Sequence, residues 1–406
     1  MPTPDAPGIP DAPAVEQLAA ATRRFVRDVV LPIERRIAGS VHDLDPAERA
    51  ELIAAAKAAG VYAPQLPTAY GGAGLDTRGQ AVVFAEAGYT LLGPLATGCA
   101  APDEGNGLLL ERVATAAQRE RWLAPLATGD IRTCFAMTEP APGAGSDPRA
   151  LQTRATRVAG GWRIDGRKWM ITGARGAAVA IVMARTSGEP GDAGGATMFL
   201  VETDNPGMRI ERDVETMDAG FYGGHAEIVF DRCLVGEADV LGEVDRGFEY
   251  AQVRLAPARL THCMRWLGLA RHCHDLALAH ASERQAFGST LADLGLAQQL
   301  IADNEIDLAA ARAVIAQAAA SIDDGVDAAN ATSIAKVFVS EAVGRVADRS
   351  VQLAGARGLT GETLLSRYWR EMRAFRVYDG PSETHRWAIA KRAVSRHRRA
   401  VAGAGA

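Results

Sequence analysis

Lysine is scarce in this chain. Of its 44 basic residues only Lys57, Lys168, Lys336 and Lys391 are lysines, and the rest are arginines. Aromatic residues make up 6% and do not interleave with a basic stripe, and the net charge is −5, so a nucleic-acid-coating surface is not expected. Cysteine is sparse and dispersed. Cys99, Cys134, Cys233, Cys263 and Cys273 form no CxxC pair, and an odd, scattered set suits reduced thiols better than a disulfide framework. No long uninterrupted apolar run is present. The apolar stretches are alanine-rich and broken by charge, so no membrane span is expected. Residues 1–13 carry five prolines but neither a basic nor an apolar leader region, and read as a disordered tail rather than a signal peptide. These absences leave a cytoplasmic protein with ordinary globular composition and, at 406 residues, room for two or three domains.

The remaining sequence divides into three parts. Residues 14–131 read as helical: Leu18, Phe25 and Val29 recur at helical spacing before Pro32, which should end or bend the helix. Asp45-Pro46 has the form of an N-cap and first helical residue, and that helix should stop at Gly60. Residues 80–89 and 105–126 read as further helices. From residue 132 to 243 the period changes. Residues 133–137, 151–158, 162–164, 178–184, 196–201 and 226–230 read as short strands, with Gly160-Gly161 suited to a tight hairpin turn. This spacing suggests a small β-barrel or sandwich, not βαβ units. Residues 244–398 return to long helices, with Leu260, Met264 and Leu267 on one face, Leu308, Ala311, Ile315, Ala318 and Ile322 on a second, and Ile334, Phe338, Ala342 and Val346 on a third. Long helices of this kind point to a four-helix-type bundle. The fold class is therefore α+β, in the order helices, β domain, bundle.

Several motifs fail on physical grounds. None of the glycine-rich loops, around Gly71, Gly143 or Gly355, has the strand-to-helix context of a dinucleotide fingerprint. Cys263 and His274 lie eleven helical residues apart, roughly 16 Å at about 1.5 Å per residue. Such a distance excludes a single-helix metal site, and no metal is expected. The basic run from Lys391 to Arg399 is short and lacks aromatics, so it reads as a solvated tail.

The informative segment runs from residue 135 to 173, "FAMTEPAPGAGSDP" followed by "GRKWMITG". It resembles the flavin signature of the acyl-CoA dehydrogenases. Thr138-Glu139-Pro140, residues 143–147, residues 164–168 and Ile171-Thr172-Gly173 carry the match. "LPTAYGG" at 66–72, "RQAFG" at 284–288, "QLAGARG" at 352–358 and "YDGPSETHR" at 378–386 extend it in the family's order. The resemblance implies an N-terminal helical domain, a middle β-barrel domain and a C-terminal bundle around FAD. It implies α,β-dehydrogenation of an acyl-CoA thioester, with electrons passing to an electron-transfer flavoprotein. It also implies a homotetramer or homodimer, because the family's flavin site draws on two chains.

Carried over residue by residue, the resemblance makes Asp379 the base that removes the α-proton. Phe135, Met137, Thr138 and Ser146 would line the flavin. Thr172 would hydrogen-bond beside its central nitrogen, and Met170 stands where the family often has a tryptophan. Arg284 and Phe287 would meet the flavin pyrophosphate region across an interface, Gln352 and Gly355 the adenine half, and Ser382 and Glu383 the flavin near the base. Ser146, Arg259 and Gly380 would contact substrate. Three departures stand out. Asp379 replaces the usual glutamate and reaches ~1.5 Å less. Ala141 and Pro142 are inserted between TEP and GAGSD. Ala256 stands where an aspartate usually precedes the CoA-contacting arginine.

An aspartate in a DGP context, with "GGHAEIVF" at 223–230 and "HCMR" at 262–265, resembles one subgroup of the family, which includes members fused to a kinase-like domain. Either the local backbone compensates for the shorter base, or the substrate is not an ordinary acyl-CoA. Nitroalkane oxidases of the same superfamily also use aspartate and pass electrons to oxygen, which gives an alternative activity. A non-catalytic acyl- or partner-binding protein on the same fold is a further alternative.

Overall fold

A computed structural model describes residues 12–404. The disordered tail expected at 1–13 lies outside these residues except at its end, where Ala12 and Pro13 belong to the first helix. In chain order the helices are α1 (Ala12–Phe25), α2 (Leu31–Arg36), α3 (Pro46–Ala58), α4 (Thr77–Ala87), α5 (Gly93–Ala96), α6 (Asp103–Val113), α7 (Ala116–Gln118), α8 (Ala124–Ala127), α9 (Gly247–Glu283), α10 (Gly295–Asp323), α11 (Ala328–Ala354), α12 (Leu365–Phe375) and α13 (Ser382–Ala404). Between α8 and α9 run β1 (Thr133–Ala136), β2 (Arg154–Val158), β3 (Gly161–Thr172), β4 (Val179–Arg185), β5 (Ala196–Glu202), β6 (Met208–Asp213), β7 (His225–Gly236) and β8 (Val240–Leu241), while β9 (Gln285–Ala286) and β10 (Ser289–Thr290) form a hairpin after α9.

Packing divides the described residues into two units that do not follow the chain order. One holds Ser40–Gly74 and Leu95–Ala258; the other holds 12–39, Leu75–Pro94 and 259–404. The first unit is built on one eight-stranded sheet with the path β6-β7-β3-β2-β4-β5-β8, and β1 lies parallel to β4. Alternation along β4 explains its burial on both faces. Ala180, Val182 and Ala184 join Trp162, Ile164, Phe199 and Ile228 on one side. Val179, Ile181 and Met183 face Leu109, Leu110, Trp122 and Leu123 on the other. Helices therefore cover one face of the sheet, and the strands' own side chains fill the other.

Two expectations about the helices change on inspection. Of the two outcomes expected at Pro32, an end or a bend, the first does not occur. The turn at Val26–Val30 is a wider π turn, and the helix continues into α2 with Pro32 at its start. A proline has no N–H and crowds the carbonyl one turn back; widening that turn accommodates both. The extra residue rotates the face, so Val26 and Val30 are buried, whereas Val29, expected in the core, is 37% exposed. The same device recurs before Pro125, where Arg119–Leu123 form a π turn. The helix expected over 105–126 is also interrupted at Thr115, whose hydroxyl accepts from Gln118 N while Gln118 Oε1 accepts from Thr115 N, a capping box.

The second unit is a bundle in which α4 and α9 pack at unusually close range. A Cβ on Gly268 would stand 2.1 Å from the carbonyl oxygen of Ala85, and one on Gly88 would stand 2.2 Å from that of Arg265, so only glycine permits the crossing. Nearby, Arg23 and Arg271 each fork onto the Glu86 carboxylate, with four N···O contacts of 2.8–3.1 Å. Burial alone would raise the Glu86 carboxyl, but hydrogen bonds and charge from the two arginines overcome it and hold it down at about 2. The unfolded carboxyl titrates near ~4.3. Its stabilising contribution is therefore complete above ~4.3 and is lost as pH falls toward about 2. In urea unfolding followed by circular dichroism, Glu86→Gln is expected to cost roughly 1–3 kcal/mol at pH 7. Its stability should also fall less steeply than the wild type's on acidification from pH 5 to 3.

Candidate active site

In the first unit, the segment singled out from the sequence is organised by one buried carboxylate. Glu139 receives four donors: Lys168 Nζ at 2.9 Å and Thr153 N at 2.9 Å on Oε1, and Ala144 N at 3.1 Å and Gln152 N at 2.7 Å on Oε2. Lys168 also donates to the Met137 carbonyl at 3.1 Å. Both side chains are essentially inaccessible to solvent. Burial pushes the Lys168 ammonium down to about 8 against the pull of Glu139. On Glu139, burial is opposed by the Lys168 charge and the donors around it, and the net effect is to hold its carboxyl below its usual range. Neither charge could be buried alone.

This pair ties the 138–153 loop to β3. Beside it, Thr138 and Trp169 exchange two hydrogen bonds: Thr138 Oγ1 donates to the Trp169 carbonyl at 2.6 Å, and Trp169 N donates to the Thr138 carbonyl at 2.9 Å. The register between β3 and β7 shifts between Lys168 and Ile171, and Met170 there adopts φ +59°. This bulge interrupts the ladder ahead of Thr172, which pairs with His225. Met137, Thr138, Met170 and Thr172 are thus held on two neighbouring, mutually bonded segments. Phe135 is half-buried at the end of β1 with the Arg254 guanidinium 4.2 Å from its ring centroid. Ser146 is exposed, and the inserted Ala141 and Pro142 are exposed too. The insertion therefore bulges outward, with Gly143 N donating to the Pro140 carbonyl at 2.8 Å beneath it. Half-buried threonine hydroxyls beside the apolar Phe135 and Met137 fit a flat heteroaromatic ring with a polar edge, as a flavin has.

In the second unit, Asp379 sits at a left-handed backbone position, φ +54°, followed by Gly380 at +93°. A Cβ on Gly380 would come within 2.7 Å of His385 Nε2 and push the imidazole aside, and the positive φ itself favours glycine there. The Asp379 carbonyl accepts from Arg259 Nε at 3.2 Å and lies 3.1 Å from His385 Nε2. Burial lowers His385 to about 4, so at neutral pH it is uncharged and its Nε2–H is the donor. The Asp379 carboxylate itself meets His262 Nε2 at 3.2 Å. His262 is buried among Phe375 and Tyr378, and Trp266 Nε1 donates to the Tyr378 hydroxyl at 2.6 Å. The fully buried Lys336 donates to the Phe375 carbonyl at 2.7 Å, and burial holds its ammonium below its usual range. A non-glycine residue at positive φ is costly and persists where its surroundings enforce it; here three basic side chains do so.

Other expected residues are spread over this unit. Ser382 is buried and its hydroxyl donates to Glu341 at 2.9 Å, while Glu383 is exposed in the first turn of α13. Arg284 is exposed where α9 meets the β9–β10 hairpin, and Phe287 at the hairpin tip is 94% exposed with φ +55°. Gln352 and Gly355 are exposed at the end of α11. Sequence reasoning gave no site role to His225, Lys336 or His385, and used His262 only as part of the segment at 262–265 that resembles one subgroup of the family. The three histidines lie inside the segments quoted for the resemblance, and for Lys336 the usable signal was the scarcity of lysine: two of the four lysines are fully buried, one in each unit. Cys263 and His274, excluded above as a metal pair, are interior groups, as are the neighbouring His272 and Cys273. All five cysteines are buried, and His272, pushed down to about 3 by burial, lies 2.8 Å from the Tyr89 carbonyl. By urea unfolding, Lys168→Met is expected to destabilise the protein by about 3–5 kcal/mol, because it strands Glu139. Lys168→Met combined with Glu139→Gln is expected to cost less than the sum of the two single substitutions.

Comparison with known proteins bears on the whole chain. Models of the acyl-CoA dehydrogenase N-terminal, middle and C-terminal domains match residues 13–130, 134–233 and 245–394. The Mycobacterium tuberculosis protein named "Probable acyl-CoA dehydrogenase FadE2" is 36% identical over 375 residues, covering 91% of each chain. Acyl-CoA dehydrogenase family member 11 of Rattus norvegicus is 33% identical; the match takes in 94% of this chain but only 52% of that protein, so the chain spans about half the rat protein's length. A solved structure from Mycobacterium abscessus, provisionally assigned as an acyl-CoA dehydrogenase, superposes with a TM-score of 0.89 at 34% identity over 96% of this chain and all of that one. Butyryl-CoA dehydrogenase of Megasphaera elsdenii shares the fold, with a TM-score of 0.85 at 24% identity over 95% of this chain and all of that one. Signature, fold and relatives agree: the chain belongs to the acyl-CoA dehydrogenases, a family of FAD-using oxidoreductases.

Proposed function

We propose that this enzyme catalyses α,β-dehydrogenation of an acyl-CoA thioester with Asp379 as its base. The bound flavin supplies the acceptor for the β-hydrogen, which leaves with its electron pair. Asp379 takes the α-proton, so the thioester loses one proton and one hydride and becomes the enoyl-CoA. The α C–H is barely acidic, and its removal needs donors at the thioester carbonyl; the family resemblance assigns one of these to the Asp379 backbone N–H. Arg259 has its Nε on the Asp379 carbonyl, and its terminal nitrogens are assigned to a CoA phosphate.

One observation carries this reading. The Asp379 backbone is bonded through its carbonyl to Arg259 and His385, and its carboxylate is paired with His262. A base must be held within hydrogen-bond reach of the proton it removes. An aspartate, with one methylene fewer than the family's glutamate, gains from being fixed rather than swinging.

Further assignments follow from the same reading. The exposed Arg284, Phe287, Gln352 and Gly355 suit contacts with a flavin nucleotide held by a second copy, in a homodimer or homotetramer. An exposed phenylalanine at positive φ suits an interface better than solvent. Ser146 and Gly380 are assigned to substrate. An electron-transfer flavoprotein in the cytoplasm is the proposed acceptor; among the described residues no helix is long and apolar enough to cross a membrane.

The test is anaerobic bleaching of the flavin absorbance on mixing with straight, branched and 4-hydroxy acyl-CoAs. Wild type is expected to bleach with at least one of them. Asp379→Asn is expected to keep its FAD and yellow colour while bleaching ~10³-fold more slowly, the middle of the range for one general base. Full activity in Asp379→Asn would remove the residue from the role. Rapid oxygen consumption with nitroethane, without bleaching by any thioester, would assign the nitroalkane chemistry instead.

A further inference from the structure

Thr172 does not stand alone at the end of β3. Its Oγ1 lies 3.0 Å from His225 Nδ1, and His225 Nε2 lies 3.1 Å from Asp218 Oδ2. His225 and Asp218 are each under a tenth exposed. The Phe221 ring, with its centroid 5.5 Å from that of His225, packs against the imidazole. Burial would raise the Asp218 carboxyl, but the hydrogen bond and charge of His225 outweigh it and hold it below its usual range. Asp218 is therefore a carboxylate, which only accepts, so His225 Nε2 carries a hydrogen.

We infer that His225, oriented by Asp218, is a positioning residue that makes the Thr172 hydroxyl a donor to His225 Nδ1, so that Thr172 presents an oxygen lone pair to the cofactor. The inference rests on the reading that Thr172 faces the central nitrogen of the flavin. That nitrogen has a lone pair in the oxidised ring and an N–H in the reduced ring. With oxidised flavin, the single Thr172 hydrogen serves two acceptors, His225 Nδ1 and the ring nitrogen, and one of them goes without. With reduced flavin, two hydrogens serve two acceptors: Thr172 donates to His225, and the ring N–H donates to Thr172. The relay therefore favours the reduced cofactor without touching substrate. This is the direction a dehydrogenase needs in order to draw electrons from a saturated chain.

The arrangement is local to the β3–β7 pair, where Thr172 and His225 are register partners and Gly173 N donates to the Gly224 carbonyl at 2.9 Å. The loop that carries Asp218 is held by Arg132, whose Nη2 donates to the Tyr222 carbonyl at 2.9 Å and to the Gly173 carbonyl at 3.3 Å. The histidine that sets the donor sense of Thr172 is thus fixed through its backbone as well as through its ring.

Two measurements test the inference. The first is the midpoint potential of bound FAD, read against a reference dye in the purified holoprotein. His225→Leu should lower the ratio of reduced to oxidised flavin about tenfold at a fixed potential, about 30 mV for a two-electron couple. His225→Asn, whose amide oxygen replaces Nδ1 as acceptor, should restore most of the difference. Asp218→Asn, which can reverse the histidine tautomer, should shift the potential in the same direction as His225→Leu. Thr172→Ala should shift it too, and adding His225→Leu to Thr172→Ala should change nothing more. If Thr172→Ala shifts the potential and His225→Leu does not, the relay is overturned while the flavin-facing role of Thr172 stands. If Thr172→Ala leaves it unchanged, the placement of Thr172 at the flavin fails and the relay with it. The second measurement uses unaltered protein labelled with ¹⁵N-histidine. The His225 signals should show a protonated Nε2 and an unprotonated Nδ1; a protonated Nδ1 would overturn the inference whatever the variants do.

Discussion

The contact on which the first unit's signature segment depends is the buried ion pair between Lys168 and Glu139. A carboxylate in the protein interior is tolerable only when its oxygens are filled, and Glu139 fills them with one ammonium and three backbone N–H groups. Those three amides belong to residues 144, 152 and 153, so the side chain closes the loop from within. This explains why two extra residues between TEP and GAGSD are harmless to the segment's course: Ala141 and Pro142 face solvent, outside the part that Glu139 fixes. The same ammonium caps the Met137 carbonyl, and the neighbouring Thr138–Trp169 bonds complete the clamp. The bulge at Met170 then delivers Thr172 to His225.

A comparable logic governs the second unit. There a single acidic residue, Asp379, is surrounded by basic ones: Arg259, His262 and His385 bond to it directly, and Lys336 is buried close by. Much of this restraint acts on the backbone carbonyl, not the carboxylate. The left-handed turn at Asp379-Gly380 is what such restraint costs and what it secures, since a carboxylate on a fixed backbone has few rotamers to search. Helix packing supports this from a distance. The Gly88–Gly268 contact draws α4 and α9 together, and Glu86 ties Arg23 of α1 to Arg271 of α9.

Much of this architecture was legible in the sequence, for reasons that can be named. Long helices announce themselves by period, and the face of Leu260, Met264 and Leu267 is buried as that period requires. Caps such as Asp45 and stops such as Gly60 carry their own chemistry. The strands were harder. β3 runs twelve residues but reads as three, because its register shifts twice and its outer residues are charged. β6, MRIERD, buries only its first residue and gave no alternating signal. Val29 went to solvent because a π turn changes the helical phase, which a fixed 3.6-residue period cannot register. The family motifs located Glu139, Lys168, Thr172 and Asp379 in the chain. They could not say that Glu139 and Lys168 bond to each other, nor that His225 and His262 stand behind Thr172 and Asp379. Such pairings join residues 29 to 117 positions apart and exist only after folding.

The most direct test of the central claim, that the Glu139–Lys168 clamp presents a flavin-binding edge, is a crystal structure of the FAD-loaded protein. The predicted result has the isoalloxazine ring against Met137 and Thr138, with the Thr172 hydroxyl in hydrogen-bond range of its central nitrogen and the Glu139–Lys168 contact intact. A ring bound away from these residues, or bound only after that ion pair has opened, would contradict it.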